Sequence, residues 1–344
     1  METELTTPVS LTTNRGLLNH GAIGWARQPL VNTGGIASSR GRFGRKAWGR
    51  NKRWEYWNVM TPAHIIALTV SNIDYACVNE VWVYDRATQQ QASKVALRIP
   101  ARGVKLPGTL GEGEVRASGG GVDIAIDEHP GGTRLRARIH DAEAGEVRFD
   151  VVAGKPANHE ALAVVVPWSD RRFQYTVKDV ARPAHGWVQI GSEYHEVPGG
   201  SWAVLDHGRG RWPYNITWNW GAGSGASGGS VYGIQVGGKW TDGTGSTENS
   251  VFIDGRLHKI SAELTWEYDL ADIEKPWRIF GGGLDATFTP FYNKQSRMNL
   301  GVLAGNTDQC FGTWNGTFTP GDDHRRTYRF EGIEGFAEHV HNKW

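Results

Sequence analysis

Apolar and polar residues alternate through Val122-Asp-Ile-Ala-Ile-Asp127 and again through Thr133-Arg-Leu-Arg-Ala-Arg-Ile139, with His129-Pro-Gly-Gly132 between them. A period of two puts every second side chain on one face of an extended chain, so this hairpin has one apolar face and one charged face. Two more β-rich segments run from His64 to Asp85, and turn signals at Gly191-Ser192 and Asp254-Gly255 predict further hairpins. The Asp-Gly pair tolerates the positive φ that a type I′ turn requires. Helical spacing occurs between Gly332 and His341, where Ile333, Phe336, Ala337 and Val340 recur three or four apart, and predicts one short C-terminal helix. A run of strand signals ends before Pro183 and a fresh one begins after Gly186. The expected architecture is all-β, with two antiparallel barrel-like or sandwich-like halves, 1–185 and 186–344. Repeats of 20–50 residues are missing, which disfavours a propeller or solenoid.

Composition agrees with a turn-rich β protein carrying large flat side chains: 46 glycines and 16 tryptophans in 344 residues. The formal net charge of +1 gives no bulk electrostatic reason to expect nucleic acid or an anionic membrane as partner. Cys77 and Cys310 are too few and too far apart for a disulfide framework or a zinc site. The N-terminus shows no signal-peptide pattern, and no apolar run approaches the roughly 20 residues that span a bilayer. These features predict a cytoplasmic monomer or homodimer, without metal or cofactor, whose partner is a small molecule. The basic stretch Arg40, Arg42, Arg45, Lys46, Arg50, Lys52 and Arg53 reads as a solvated loop or as an anion-binding lip on a pocket.

Two tempting motifs lack their context. Gly223-Ser-Gly-Ala-Ser-Gly228 has the spacing of a dinucleotide loop and Gly225-Ala-Ser-Gly-Gly229 that of a nucleophile elbow, but a strand rather than a helix follows, so Ser227 receives no catalytic role. His339 and His341 would diverge on the expected helix and have no third ligand nearby.

The chemistry-bearing stretch is 202–240. It holds Trp202, Trp212, Trp218, Trp220 and Trp240, interleaved with Asp206, His207, Arg209 and Arg211. Trp218 and Trp220, two apart on a strand, share a face and can form a cavity wall. Asp206 follows the apolar run Trp202-Ala-Val-Leu205 and is expected at a strand end near that wall. A carboxyl held out of water keeps its proton to higher pH and can donate it near neutrality, and an indole face steadies a cation by about 2 kcal/mol where water is excluded. Acid and aromatic wall together suit carbocation chemistry. A second pair, Asp242 and Glu248, lies in the next loop; two carboxylates roughly 5–9 Å apart are what glycoside hydrolysis needs, with indoles stacking on the sugar. Trp168 is a rim candidate, and Asp170 with Arg171 or Arg172 suggests an ion pair between the halves.

The segments Gly16-Leu-Leu-Asn, Lys52-Arg-Trp-Glu-Tyr-Trp57, Val166-Pro-Trp-Ser-Asp-Arg-Arg-Phe-Gln174, Leu205-Asp-His-Gly-Arg-Gly-Arg-Trp-Pro-Tyr214 and Gly238-Lys-Trp-Thr-Asp-Gly-Thr-Gly245, with Trp344, resemble a family of unknown function, DUF2804. Asp206-His-Gly-Arg-Gly210 followed by Trp218-Asn-Trp220 is similar, over a shorter span, to the hydroxyneurosporene synthase family, whose lipocalin-like relatives include tocopherol cyclase. The resemblance implies two lipocalin-like halves and protonation of an isoprenoid double bond, with Asp206 as acid and Trp218 and Trp220 as the cation-stabilising wall; the residues themselves add His207 as a further catalytic candidate and Trp212, Tyr214 and Trp240 as substrate-binding candidates. Gly208 and Arg209 depart from that pattern, and Arg209 or Arg211 points to a more polar, oxygenated ligand. The leading reading is a cofactor-independent hydratase, cyclase or isomerase; the alternatives are a non-catalytic lipocalin-like carrier and a glycoside-active enzyme.

Overall fold

The computed structural model describes residues 2–37, 47–299, 301, 303–321, 323 and 325–344. The chain is almost all strand; helix among the described residues is limited to the turn Gly34–Ala37 and a 3-10 turn at His20–Ala22. Arg40, Arg42, Arg45 and Lys46 of the basic stretch lie outside the described residues.

The strands form two large antiparallel sheets, of 13 and 9 strands among the described residues. The first runs from the edge strand Gln91–Arg98 through Cys77–Asp85, His64–Asn72, Asn51–Met60, Glu193–Arg211 and Arg172–Ile190 to Gly145–Gly154, Gly132–Asp141, Val122–His129 and beyond. It is curled: Ala92 and Ala96 near one edge share a core with Ile124 and Leu135 near the other, around Trp57, Val81 and Phe149. In the second, Asn215–Ser227 and Tyr328–Lys343 lie centrally, with Ser230–Gly238 and Asn249–Ile253 to one side and Ala304–Phe318 and Leu284–Asn299 to the other. Its core holds Ile234, Val251, Trp277, Phe288 and Trp314. Each interior holds its own cluster of buried apolar side chains. A third cluster, including Trp82, Trp212, Trp220, Trp240, Phe311 and Phe336, packs the two sheets against each other.

The predicted hairpins form where turn chemistry called for them. His129 pairs with Gly132, Ile190 with Glu193 and Ile253 with Arg256, and Asp254 and Gly255 both take positive φ, 50° and 80°. The glycine-rich motif at 223–228 is the end of a strand, turning at Gly228-Gly229. The chain passes from the first sheet to the second between Arg211 and Asn215, whereas His185 and Gly186 lie inside the strand Arg172–Ile190.

The expected C-terminal helix is instead the strand Tyr328–Lys343. Its two faces are both covered: Ile333 and Ala337 enter the core of the second sheet, and Phe336 enters the cluster between sheets. A strand buried on both faces loses period-two alternation, so its apolar positions mimic helical spacing. On this strand His339 and His341 share a face but engage different partners, Tyr268 and Asn215.

Candidate functional site

A cavity of about 540 Å³ lies between the two sheets rather than inside either barrel. Alternation decides which side chains reach it. On the strand Asn51–Met60, Trp54 and Tyr56 line it, joined by the long side chain of Arg53, while Glu55 faces away; on Glu193–Arg211, Asp206 lines it while His207 faces away opposite Glu55. Asp206 is not at a strand end, and its strand pairs with those of Lys178 and Tyr56 rather than with that of Trp218. Trp218 and Trp220, as their spacing requires, both line the cavity, from the opposing sheet.

At the centre is a buried charge cluster that the sequence motifs did not reveal. Lys178 Nζ lies 3.0 Å from Asp206 Oδ1, 3.2 Å from Glu248 Oε2 and 3.9 Å from the centre of the Trp220 ring. Asp206 also accepts hydrogen bonds from Trp54 Nε1 and Thr176 Oγ1, both at 2.9 Å. Glu248 accepts from Trp240 Nε1 at 2.7 Å. Burial works to strip the Lys178 ammonium of its proton, but the two carboxylates outweigh it and hold it above its ordinary range. Burial raises Glu248, against the pull of Lys178.

Glu338 completes the site. Its hydrogen-bond donors are the neutral Trp218 Nε1 (2.9 Å) and Gln309 Nε2 (3.2 Å), the latter also bonded to the Tyr56 hydroxyl at 3.1 Å. Burial pushes the Glu338 carboxyl up to about 7, reinforced by the negative Asp206 and Glu248 and only partly relieved by Trp218 and Lys178. Three buried carboxyls, from both sheets and a loop, thus line one cavity around the Lys178 ammonium, and in a low-dielectric space the surplus charge is most cheaply shed as a retained proton.

Around these groups the indoles are in mutual contact. Trp212 stacks on Trp240 at 5.4 Å and meets Trp54, Trp218 and Trp344 edge-on at 5.6–5.9 Å. Trp168 stands behind this wall, donating to the Trp240 carbonyl at 2.8 Å and packing on Trp212 at 5.0 Å.

Several residues singled out in the sequence lie elsewhere, each for a local reason. His207 is fully buried on the other face, bonded to Glu55 at 3.2 Å, and burial together with Arg209 lowers it to about 4, so it is neutral at physiological pH. Arg209 is bound to Glu55 and to the carbonyls of Trp54 and Pro107, and Arg211 to Asn51 and the Gly16 carbonyl. Tyr214 is exposed, 43%. Asp242 caps an exposed turn by accepting from Lys239 N, so it does not pair with buried Glu248; the partner of Glu248 is Lys178. Asp170 pairs with His20 rather than with an arginine. Lys178, Glu338 and Gln309 carry no catalytic motif or spacing in the sequence, and Tyr56 lies in a family-like segment without a signal of its own; the polar positions at 178 and 338, buried within long strands, are the available signal.

Among the described residues no three potential ligands cluster to hold a metal, and no helix is long and apolar enough to cross a membrane. The sequence matches over residues 2–344 the family described as domain of unknown function DUF2804, and the chain belongs to that family. No curated protein matches it. Similar solved structures include kievitone hydratase from Nectria haematococca, 12% identical over 86% of this chain and 89% of that one with a TM-score of 0.50, and a protein provisionally described as AttH from Nitrosomonas europaea, 15% identical over 84% and 92% with a TM-score of 0.49. At 12% identity the likeness to the first is one of fold, a pair of curled lipocalin-like sheets.

Proposed function

We propose that this DUF2804 protein catalyses proton transfer to a carbon–carbon double bond, in a hydration, isomerisation or cyclisation, on a small flat oxygenated apolar substrate in the cavity between the sheets. The observation that carries the reading is Glu338, a carboxyl raised to about 7 on the wall of a tryptophan-lined cavity. An acid of that strength is half-protonated at neutrality, where general acid catalysis is most effective. The sequence suggested Asp206 for this role. Three donors, one an ammonium, converge on Asp206, whereas only two neutral donors meet Glu338, so the donor role suits Glu338 and Asp206 helps hold Lys178 in place.

In the proposed step Glu338 gives its proton to one alkene carbon, the developing cation rests against the Trp218 indole, and capture by the oxygen of water or of a substrate hydroxyl, whose O–H proton passes to the Glu338 carboxylate and restores the acid, completes addition. Loss of a neighbouring C–H proton to the Glu338 carboxylate completes isomerisation instead. The face of Trp220 covered by Lys178 is already occupied by a cation and is not part of that wall. Kievitone hydratase, named for a hydratase activity, has a similar fold, which agrees with this reading.

The test is deuterium incorporation at carbon, followed by NMR in heavy water, across a panel of styrenes, prenylated phenols and unsaturated ketones. Glu338→Gln is expected to slow any active member at least about 100-fold, the usual scale for a general acid. Undiminished exchange in that variant would refute the assignment, and an unaltered ligand retained through purification, with no exchange on any panel member, would favour a carrier.

A further inference from the structure

The faces of the cavity are built from registered rows. Across the first sheet Lys178, Asp206, Tyr56, Thr69, Glu80 and Val95 are successive cross-strand partners, and across the second Trp220, Glu338, Gln309 and Lys294 are. The two rows meet at Lys178 and Trp220, at Tyr56 and Gln309 (3.1 Å), and at Glu80 and Lys294 (2.8 Å), forming a closed polar seam. Adjacent strands lie about 4.8 Å apart, so the first-sheet row follows roughly 24 Å of sheet from Lys178 to Val95, one strand beyond the last contact of the seam. The next rows line an open slot beside it, with Thr176, Trp54 and Ser71 on one side and Trp218, Val340 and Thr307 on the other.

The two ends of this slot differ in chemistry and in exposure. At the inner end Lys178, Asp206 and Glu338 are 4, 8 and 7% exposed. At the outer end the same cavity is lined by Val95, Leu97 and Met298, which are 55, 40 and 36% exposed. Val95 and Leu97 sit on the edge strand Gln91–Arg98, whose alternate positions Ala92 and Ala96 already serve the core, so barrel packing does not account for apolar residues on the outer face. Single exposed apolar residues need no explanation, but a group continuous with a cavity marks a binding surface.

We propose that the site takes an amphipathic substrate head first: a flat oxygenated head lies among the indoles at the acidic inner end, and a hydrocarbon tail runs along the slot and leaves over Val95, Leu97 and Met298. This rests on the reading above for which end is reactive, but its test needs no turnover.

Binding of p-hydroxybenzoate esters from methyl to octyl, followed by quenching of tryptophan fluorescence, reads the tail path directly. Burying one methylene strengthens binding about fourfold at full effect, so a gain of two- to fourfold per methylene is expected through the middle of the series. Val95→Glu with Leu97→Glu, both at exposed positions, should flatten that gain, and Leu97→Met should preserve it. Equal affinity for methyl and octyl esters, or an undiminished gain in the double variant, would overturn the proposal. Glu338→Gln should keep the gain; if it also keeps full turnover the acid assignment fails while the tail path stands, and a flat series with Glu338-dependent turnover removes the tail path alone.

Discussion

The Lys178 ammonium sits 3.9 Å from the centre of the Trp220 indole, a lysine of the first sheet resting on a tryptophan of the second. The contact joins the sheets at the point where Asp206 and Glu248 also bind the same nitrogen, at 3.0 and 3.2 Å. A desolvated cation over an indole gains about 2 kcal/mol, but removing the cation leaves two buried carboxylates facing each other without compensation, a larger effect.

Lys178→Met is therefore expected to cost about 3–5 kcal/mol of unfolding free energy at pH 8, the usual cost of breaking a buried ion pair by removing one partner. The deficit should shrink at pH 5, because Glu248, already raised by burial, can take up a proton and remove the unpaired charge. Urea midpoints of both proteins at the two pH values check this; an unchanged midpoint at pH 8 would show that the cluster does not hold the sheets together.

Glu338 and His207 should give pH dependences of opposite sign. Glu338 titrates at about 7 when folded against an ordinary 4.5, so between these values the folded state holds a proton the unfolded chain has released. Its contribution is complete below about 4.5 and is lost as pH rises to 7. His207 titrates at about 4 when folded against 6.5 unfolded; its contribution is complete above 6.5 and is lost as pH falls to 4. Each is on the order of 3 kcal/mol by linkage. Unfolding free energy measured from pH 4 to 8 should lose its high-pH decline in Glu338→Gln and its low-pH decline in His207→Gln, and a profile unaltered by either variant contradicts the corresponding burial effect.

Gly208 lies under Trp54: a Cβ there would come within 2.1 Å of the indole Cζ2. Its φ lies outside the left-handed region, so the requirement is for space and not for backbone freedom. Gly208→Ala should displace Trp54 and break the 2.9 Å hydrogen bond it donates to Asp206, costing about 1–3 kcal/mol as an overpacked site. In a double-mutant cycle with Trp54→Phe the two effects should fall short of additivity, since both disturb one contact; strict additivity would mean that Trp54 accommodates the methyl without moving. The glycine that departs from the hydratase-like pattern at this position is thus matched to Trp54 on the neighbouring strand.

Much of the fold was legible in local pattern. The hairpins at 129–132, 190–193 and 253–256 each combine alternation with a turn dipeptide, two signals that act within a few residues and need no distant contact. The C-terminal strand misled because its neighbours bury both of its faces. In the site, the Trp218 and Trp220 pairing followed from spacing alone, and Asp206 reached the cavity, but Asp242 and Glu248 separated because a turn and a core position six residues apart share no environment.

By itself the sequence determined that the chain would be strands and turns, where many of the turns would fall, and that tryptophans would crowd one region, because alternation, turn propensity and composition act locally. Only the tertiary structure decided that the cavity lies between two sheets and that Lys178, Asp206, Glu248 and Glu338 meet there. Those four residues come from different strands and from a loop. Their ionisation depends on how much water is excluded and on which charges lie within a few ångströms, quantities set by packing and not by order along the chain.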